Sequence, residues 1–127
     1  MKHICTSFKK LRIDDEIILT IGNFDGIHKG HGDILSRIKK EAENLNLKAA
    51  ILSFNPHPKV YFNDEKNFLI NSKSKKLSTL ERMGIDYLIE LDFDEDLINL
   101  SFNDFEQSIL IEKLNIKKLY LGKDFRY

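Results

Sequence analysis

Ile17 to Phe24 is a short, β-branched and nearly continuous apolar run, the pattern of a strand buried on both faces, as in a parallel sheet. One Gly-rich turn later, Ile34, Leu35, Ile38, Ala42 and Leu45 recur at helical spacing, while Lys39, Lys40, Glu41 and Glu43 fill the other face. Leu47 to Phe54 is a second buried-strand run, closed by Asn55-Pro56-His57-Pro58, where each proline pushes its predecessor towards extended geometry. Strand, helix, strand predicts a βαβ unit. The 127 residues suit one domain, and a hydrophobic fraction of 42% with nine Phe is enough to build its core.

The alternation continues. Tyr61 to Asn71 is irregular and polar, and Ser72 to Met83 predicts a Lys-rich helix stopped by Gly84. Ile85 to Leu91 is a third strand. The acidic segment Asp92 to Asp96 reads as a loop or short turn, after which Ser101 caps a helix with Asp104 three residues on. Phe102, Phe105 and Ile109 are expected to share a face of that helix, which ends near Leu114. Ile116 to Leu121 is a fourth strand. No element is predicted over Met1 to Arg12. The expected architecture is a parallel α/β sheet with right-handed crossovers and ligands beyond the carboxyl ends of its strands.

Composition narrows the partners. Twenty Lys plus Arg against 20 Asp plus Glu cancel, which excludes a broadly basic nucleic-acid-coating protein. Met1 to Arg12 has no apolar stretch of the signal-peptide kind, and Ile17 to Leu19, Ala49 to Leu52 and Ile109 to Ile111 are far short of the ~20 residues that span a bilayer. The lone Cys5 has no partner for an intrachain disulfide and no second thiol for a sulfur-based metal site. A cytoplasmic chain with neither nucleic-acid nor membrane partners is expected.

Four of the six glycines and two of the four histidines fall within Gly22-Asn23-Phe24-Asp25-Gly26-Ile27-His28-Lys29-Gly30-His31-Gly32. This string leaves the carboxyl end of a buried strand and enters a helix, a junction suited to anions. Gly22 and Gly26 let a phosphate approach the backbone, and the helix start offers unpaired N–H groups and the positive end of its dipole. His28 and His31, three apart, project to one side if both lie at that start, with the mobile charge of Lys29 beside them. The string is neither a P-loop nor the Gly-x-Gly-x-x-Gly of a dinucleotide fold. Taken singly, its glycines are ordinary turn residues and each His an ordinary surface His; taken together they favour a functional site. A zinc site on the two histidines would need His57 and Asp25 to complete it.

The string resembles the Gly-x-Phe-Asp-x-x-His-x-Gly-His signature of the nucleotidyltransferase superfamily. Together with Phe54-Asn55-Pro56-His57-Pro58, the stretch from Phe93-Asp94 to Leu100-Ser101 and Gly122-Lys123-Asp124-Phe125-Arg126, it is similar to bacterial FAD synthetase, the adenylyltransferase half of the bifunctional riboflavin kinase/FAD synthetase. These matches run in order from Ile17 to Tyr127. The resemblance implies a Rossmann-like sheet of the nucleotidyltransferase type and transfer of AMP from ATP to FMN, giving FAD and pyrophosphate with Mg2+, and no covalent intermediate.

By the same resemblance His28 and His31 are the catalytic pair, acting on the ATP phosphates and the transition state. Gly22, Asn23, Phe24, Asp25, Gly26, Lys29 and Gly30 complete the ATP and phosphate cradle. Phe54, Asn55, Pro56, His57 and Pro58 face the flavin, and Asp124 sits where the family carries an Asp or Asn near phosphate or magnesium. Stacking of Phe54, Phe62 or Phe125 on the isoalloxazine is a further expectation, not one carried by the resemblance. For Phe62 a plain packing role is the better reading.

The chain departs from the family pattern in three places. Asn71 to Lys76 is Lys-rich where a Leu-Thr then Glu-Lys pattern is usual, the Ser-Ser-Thr-x-Ile-Arg segment expected beyond Tyr127 is missing, and no riboflavin kinase domain follows. Residues 1–127 therefore read as the N-terminal part of a nucleotidyltransferase domain whose usual fused partner is the kinase. Two alternatives stay open. One is another nucleotidyltransferase of the cytidylyl or phosphopantetheine adenylyl kind, for which the first motif alone suffices; the other is a truncated, non-catalytic module that binds nucleotide or flavin.

Overall fold

The computed structural model describes residues 1–22, 29–55 and 73–121, with side chains except at 29–32, 55 and 73–75. In chain order these form β1 (Lys2–Thr6), β2 (Glu16–Ile21), α1 (Lys29–Leu45), β3 (Lys48–Asn55), α2 (Lys73–Arg82), β4 (Tyr87–Asp92), a single turn α3 (Glu95–Ile98), α4 (Phe102–Phe105) running into a π-helix (Glu106–Lys113), and β5 (Asn115–Leu121). The five strands make one all-parallel sheet in the order β1-β4-β3-β2-β5. This is the expected Rossmann-like α/β architecture.

The sheet is covered on both faces, which explains why its central strands read as unbroken apolar runs. On one face Ile18, Ala49, Ile51 and Leu88 pack under Leu35, Ile38 and Ala42 of α1 and Leu80 of α2. On the other, Ile17, Leu19, Ile21, Ala50, Leu52, Ile89 and Leu91 meet Phe105, Ile109, Leu110 and Leu114, with Leu11 and Ile13 of the β1–β2 connection. Each fully buried Leu or Ile contributes about 1.5–3 kcal/mol.

Two helices end in the same way. After α1, Asn46 takes positive φ (57°), its N–H bonds the Glu43 carbonyl at 3.3 Å, and the Leu47 N–H reaches the Ala42 carbonyl at 2.8 Å. After α2, Gly84 takes φ 81°, with Gly84 N–H to Glu81 O at 3.1 Å and Ile85 N–H to Leu80 O at 3.2 Å. Both are Schellman caps, and Gly84 is the expected stop. Leu45 stays 48% exposed, because the cap turns the chain away before the apolar stripe reaches it.

Three further expectations change. Asp92 to Asp96 is not all loop: Asp94 Oδ1 accepts the Leu97 N–H at 2.9 Å and caps α3, which buries Leu97. Ser101 Oγ caps α4 through the Asp104 N–H at 3.1 Å as expected, but Phe102 is 47% exposed and does not share the buried face. Phe102 opens the single turn α4, whereas Phe105 at its end and Ile109 and Leu110 of the π-helix that follows carry the buried face. The third change is β1, an edge strand where no element was expected; only Ile4 and Thr6 are partly buried, so the segment carries no apolar alternation.

Polar side chains tie the layers together. Glu41 of α1 accepts hydrogen bonds from Lys118 and Tyr120 of β5, and these bonds hold its carboxyl below the usual range, Lys118 contributing most. At the amino end of β4 the Tyr87 hydroxyl donates to Asp15, and that bond, with burial and the nearby carboxylates, pushes the phenol up to about 12. A raised pKa means that the neutral phenol adds stability in full below about pH 10 and loses it as pH climbs towards 12. Ultraviolet titration should therefore show a Tyr87 step near 12, and Tyr120, whose hydroxyl donates to Glu41, is also raised. In Asp15→Asn the Tyr87 step should move down towards 10; an unchanged titration would remove Asp15 as the cause.

Candidate active site at the carboxyl ends of the strands

Strand β2, between β3 and β5, carries the chain to the carboxyl edge of the sheet, where Gly22 continues the ladder with its N–H on the Leu52 carbonyl at 3.0 Å. Helix α1 starts at Lys29 and runs back over the sheet, since the Leu47 N–H bonds Ala42 at its far end before β3 begins. The positive end of a 17-residue helix therefore stands over the carboxyl ends of the strands. That is where a doubly covered parallel sheet binds its ligands.

Beneath it the strands place two polar groups that the sequence reading passed over. Thr20 and Ser53 are each 1% exposed, and among the described residues neither Thr20 Oγ1 nor Ser53 Oγ has a hydrogen-bond partner. Strand alternation puts both on the α1 face, with Ile18 and Ile51. Continuing the β2–β3 register sets Gly22 opposite Ser53. A buried hydroxyl without a partner is costly, so orphaned ones in native proteins call for an explanation. The available signal was a lone Thr and a lone Ser inside otherwise apolar strands.

The expected residues fall as follows. Gly22 is half-buried at the end of β2, and Lys29, Gly30 and His31 lie in the first turn of α1. Phe54 is near the end of β3 but sits on the face opposite α1, its ring edge-on to Phe93 at 5.7 Å and 89°, partly buried against a core cluster. Asn55 ends β3 and pairs with Asp92. Asn23, Phe24, Asp25, Gly26 and His28, then Pro56, His57, Pro58 and Phe62, and Asp124 and Phe125 lie outside the described residues, and with them the zinc alternative. Among the described residues the group of His, Cys, Asp or Glu within ligating distance of one another is His3, Cys5 and Glu90 at the β1 edge, whose nitrogen and sulfur donors do not suit magnesium.

A profile of the FAD synthetase family matches residues 10–127. The chain belongs to the FAD synthetase family. The bifunctional riboflavin kinase/FMN adenylyltransferase of Escherichia coli K12 is 33% identical over 111 residues, 87% of this chain and 36% of that protein. The Haemophilus influenzae protein of the same name is 34% identical over 110 residues (86% and 36%), and that of Buchnera aphidicola from Schizaphis graminum 32% over 117 (91% and 38%). The family member described here thus spans about a third of the length of these relatives. Its fold is similar to a crystal structure described as a macrolide-efflux protein from Streptococcus pneumoniae, with TM-score 0.83, 25% identity and coverage of 100% of this chain and 43% of that one. Among the described residues no helix is long and apolar enough to cross a membrane.

Proposed function

We propose that this chain carries FMN adenylyltransferase chemistry: an oxygen of the FMN phosphate attacks the α-phosphorus of ATP, the bond from that phosphorus to the β-bridging oxygen breaks, and pyrophosphate leaves as FAD forms. The single observation that carries the reading is the family match over residues 10–127, which includes the whole junction between β2 and α1.

The geometry around that junction supports it. The attacking phosphate is already anionic, so no base is required; the protein's part is to align two anions that repel each other and to stabilise charge on the transferring group. The start of α1, with Lys29, Gly30 and His31 in its first turn, supplies backbone donors and positive potential where those anions meet. His28 is assigned with His31 to the transferring phosphate, and Asn23 to Gly26 to the nucleotide. The hydroxyls of Thr20 and Ser53 offer donors to a nucleotide seated under α1. Phe54, packed into the sheet, positions the Asn55 to Pro58 segment on the flavin side and does not itself stack on the ring. Magnesium belongs to the ATP substrate in this reading, and Asp124 is its proposed contact.

Incubation of the chain with ATP, Mg2+ and FMN tests the reading, with FAD followed by chromatography alongside pyrophosphate. FAD and pyrophosphate in equal amounts are expected. Binding of ATP and FMN without either product would replace the enzyme by the binding-module reading. Absence of both binding and product would overturn the assignment.

A further inference from the structure

Strand β1 places a second chemically distinct group on the molecule. His3 and Cys5 are two apart on the strand and therefore point to the same face of the sheet. In the β1–β4 register Cys5 stands opposite Glu90, while His3 stands opposite Leu88. Glu90 is 5% exposed in a strand otherwise buried from Tyr87 to Leu91, an unusual setting for a carboxylate. His3 Nε2 lies 2.6 Å from Glu90 Oε1 and 3.4 Å from Cys5 Sγ, and all three donor atoms lie within 4.8 Å of one another.

Both contacts fall on the same ring nitrogen, and this decides between two chemistries. A nucleophilic Cys–His–Glu relay requires the thiol on one imidazole nitrogen and the carboxylate on the other. Here one Nε2 would have to accept a proton from the thiol and donate one to the carboxylate at once, which a neutral imidazole nitrogen cannot do. Three donor atoms of different residues gathered within 4.8 Å of one another are instead the arrangement from which a metal site is built. Nitrogen, thiolate and carboxylate are the donor types of zinc, whereas magnesium and calcium take oxygen. In a zinc tetrahedron neighbouring ligand atoms stand about 3.3–3.7 Å apart, so the Cys5–His3 spacing already fits and the His3–Glu90 contact has to open by about 0.8 Å.

We propose that His3, Cys5 and Glu90 form a three-ligand Zn2+ site that clasps the edge strand β1 to β4. The exposed Cys5 leaves the fourth position open to water. The mixed donor set is why a lone cysteine did not signal it: the second and third ligands are an imidazole on the same strand and a carboxylate 87 residues away from it.

Cobalt substitution tests the site, because Cys5 is the sole cysteine and a thiolate-to-cobalt charge-transfer band can come from nowhere else in the chain. One Co2+ per chain should give that band and Zn2+ should displace it, with the band absent in Cys5→Ser. Changes outside the ligand shell alone cost zinc sites about 10–100-fold in affinity, so Cys5→Ser and His3→Ala should each weaken zinc binding at least about tenfold. Zinc should also raise the unfolding midpoint of the parent chain and leave that of Cys5→Ser unchanged. Since Cys5 is exposed, Cys5→Ser remains folded and decisive even if His3→Ala does not. Cobalt bound without the band, zinc held equally by Cys5→Ser, or one metal ion shared by two chains would each overturn the proposal. None of these readouts depends on FAD synthesis.

Discussion

Phe105→Ala is expected to destabilise the fold by about 3–5 kcal/mol, a large part of the ~5–15 kcal/mol available to a domain. Phe105 is 1% exposed and, at the junction of α4 with the π-helix, fills the layer between that helix and β2, β3 and β4. Removing its ring leaves a void lined by close-packed strands that cannot collapse into it. Phe102→Ala, three residues earlier and 47% exposed, is expected to stay within about 0.5 kcal/mol. Urea unfolding of the two variants side by side separates the observed helical face from the simple α-helical spacing that groups both rings together. Equal losses would mean that Phe102 is as deeply packed as Phe105.

The second large effect is on chemistry. His28→Ala and His31→Ala are each expected to lower FAD formation by about 10²–10³-fold, the usual cost of removing one preorganised donor to a transition-state charge. ATP affinity should fall in parallel, while the circular dichroism spectrum and unfolding midpoint stay at parent values, because His31 lies in the first turn of α1 ahead of its core residues Leu35, Ile38 and Ala42. FAD formation at the parental rate in the double variant would sink the assignment of these histidines. Loss of fold in either variant would show a structural role instead.

Much of this architecture was legible in the residues because the relevant signals are local. The apolar runs of β2 and β3, the stripe of Leu35, Ile38 and Ala42, the stop at Gly84 and the cap at Ser101 each depend on chemistry within one or two turns of chain, and the structure shows each of them. The strand-to-helix junction after Gly22 was legible for the same reason. Its motif, with three others in order, pointed to the family that the profile match then showed.

What only the tertiary structure decided are the features made by distant partners. Strand β1 is held by backbone hydrogen bonds to β4, and these are indifferent to side chains, so a segment with little buried apolar surface gave no sign of pairing. The order β1-β4-β3-β2-β5 set which helices cover which face, and hence that Thr20 and Ser53 lie beneath α1 while Phe54 turns to the opposite core. The same pairing brought Glu90 to His3 and Cys5. Helix and turn signals are written over a few residues, but sheet order follows from the burial of whole faces, and only the folded chain brings those faces together.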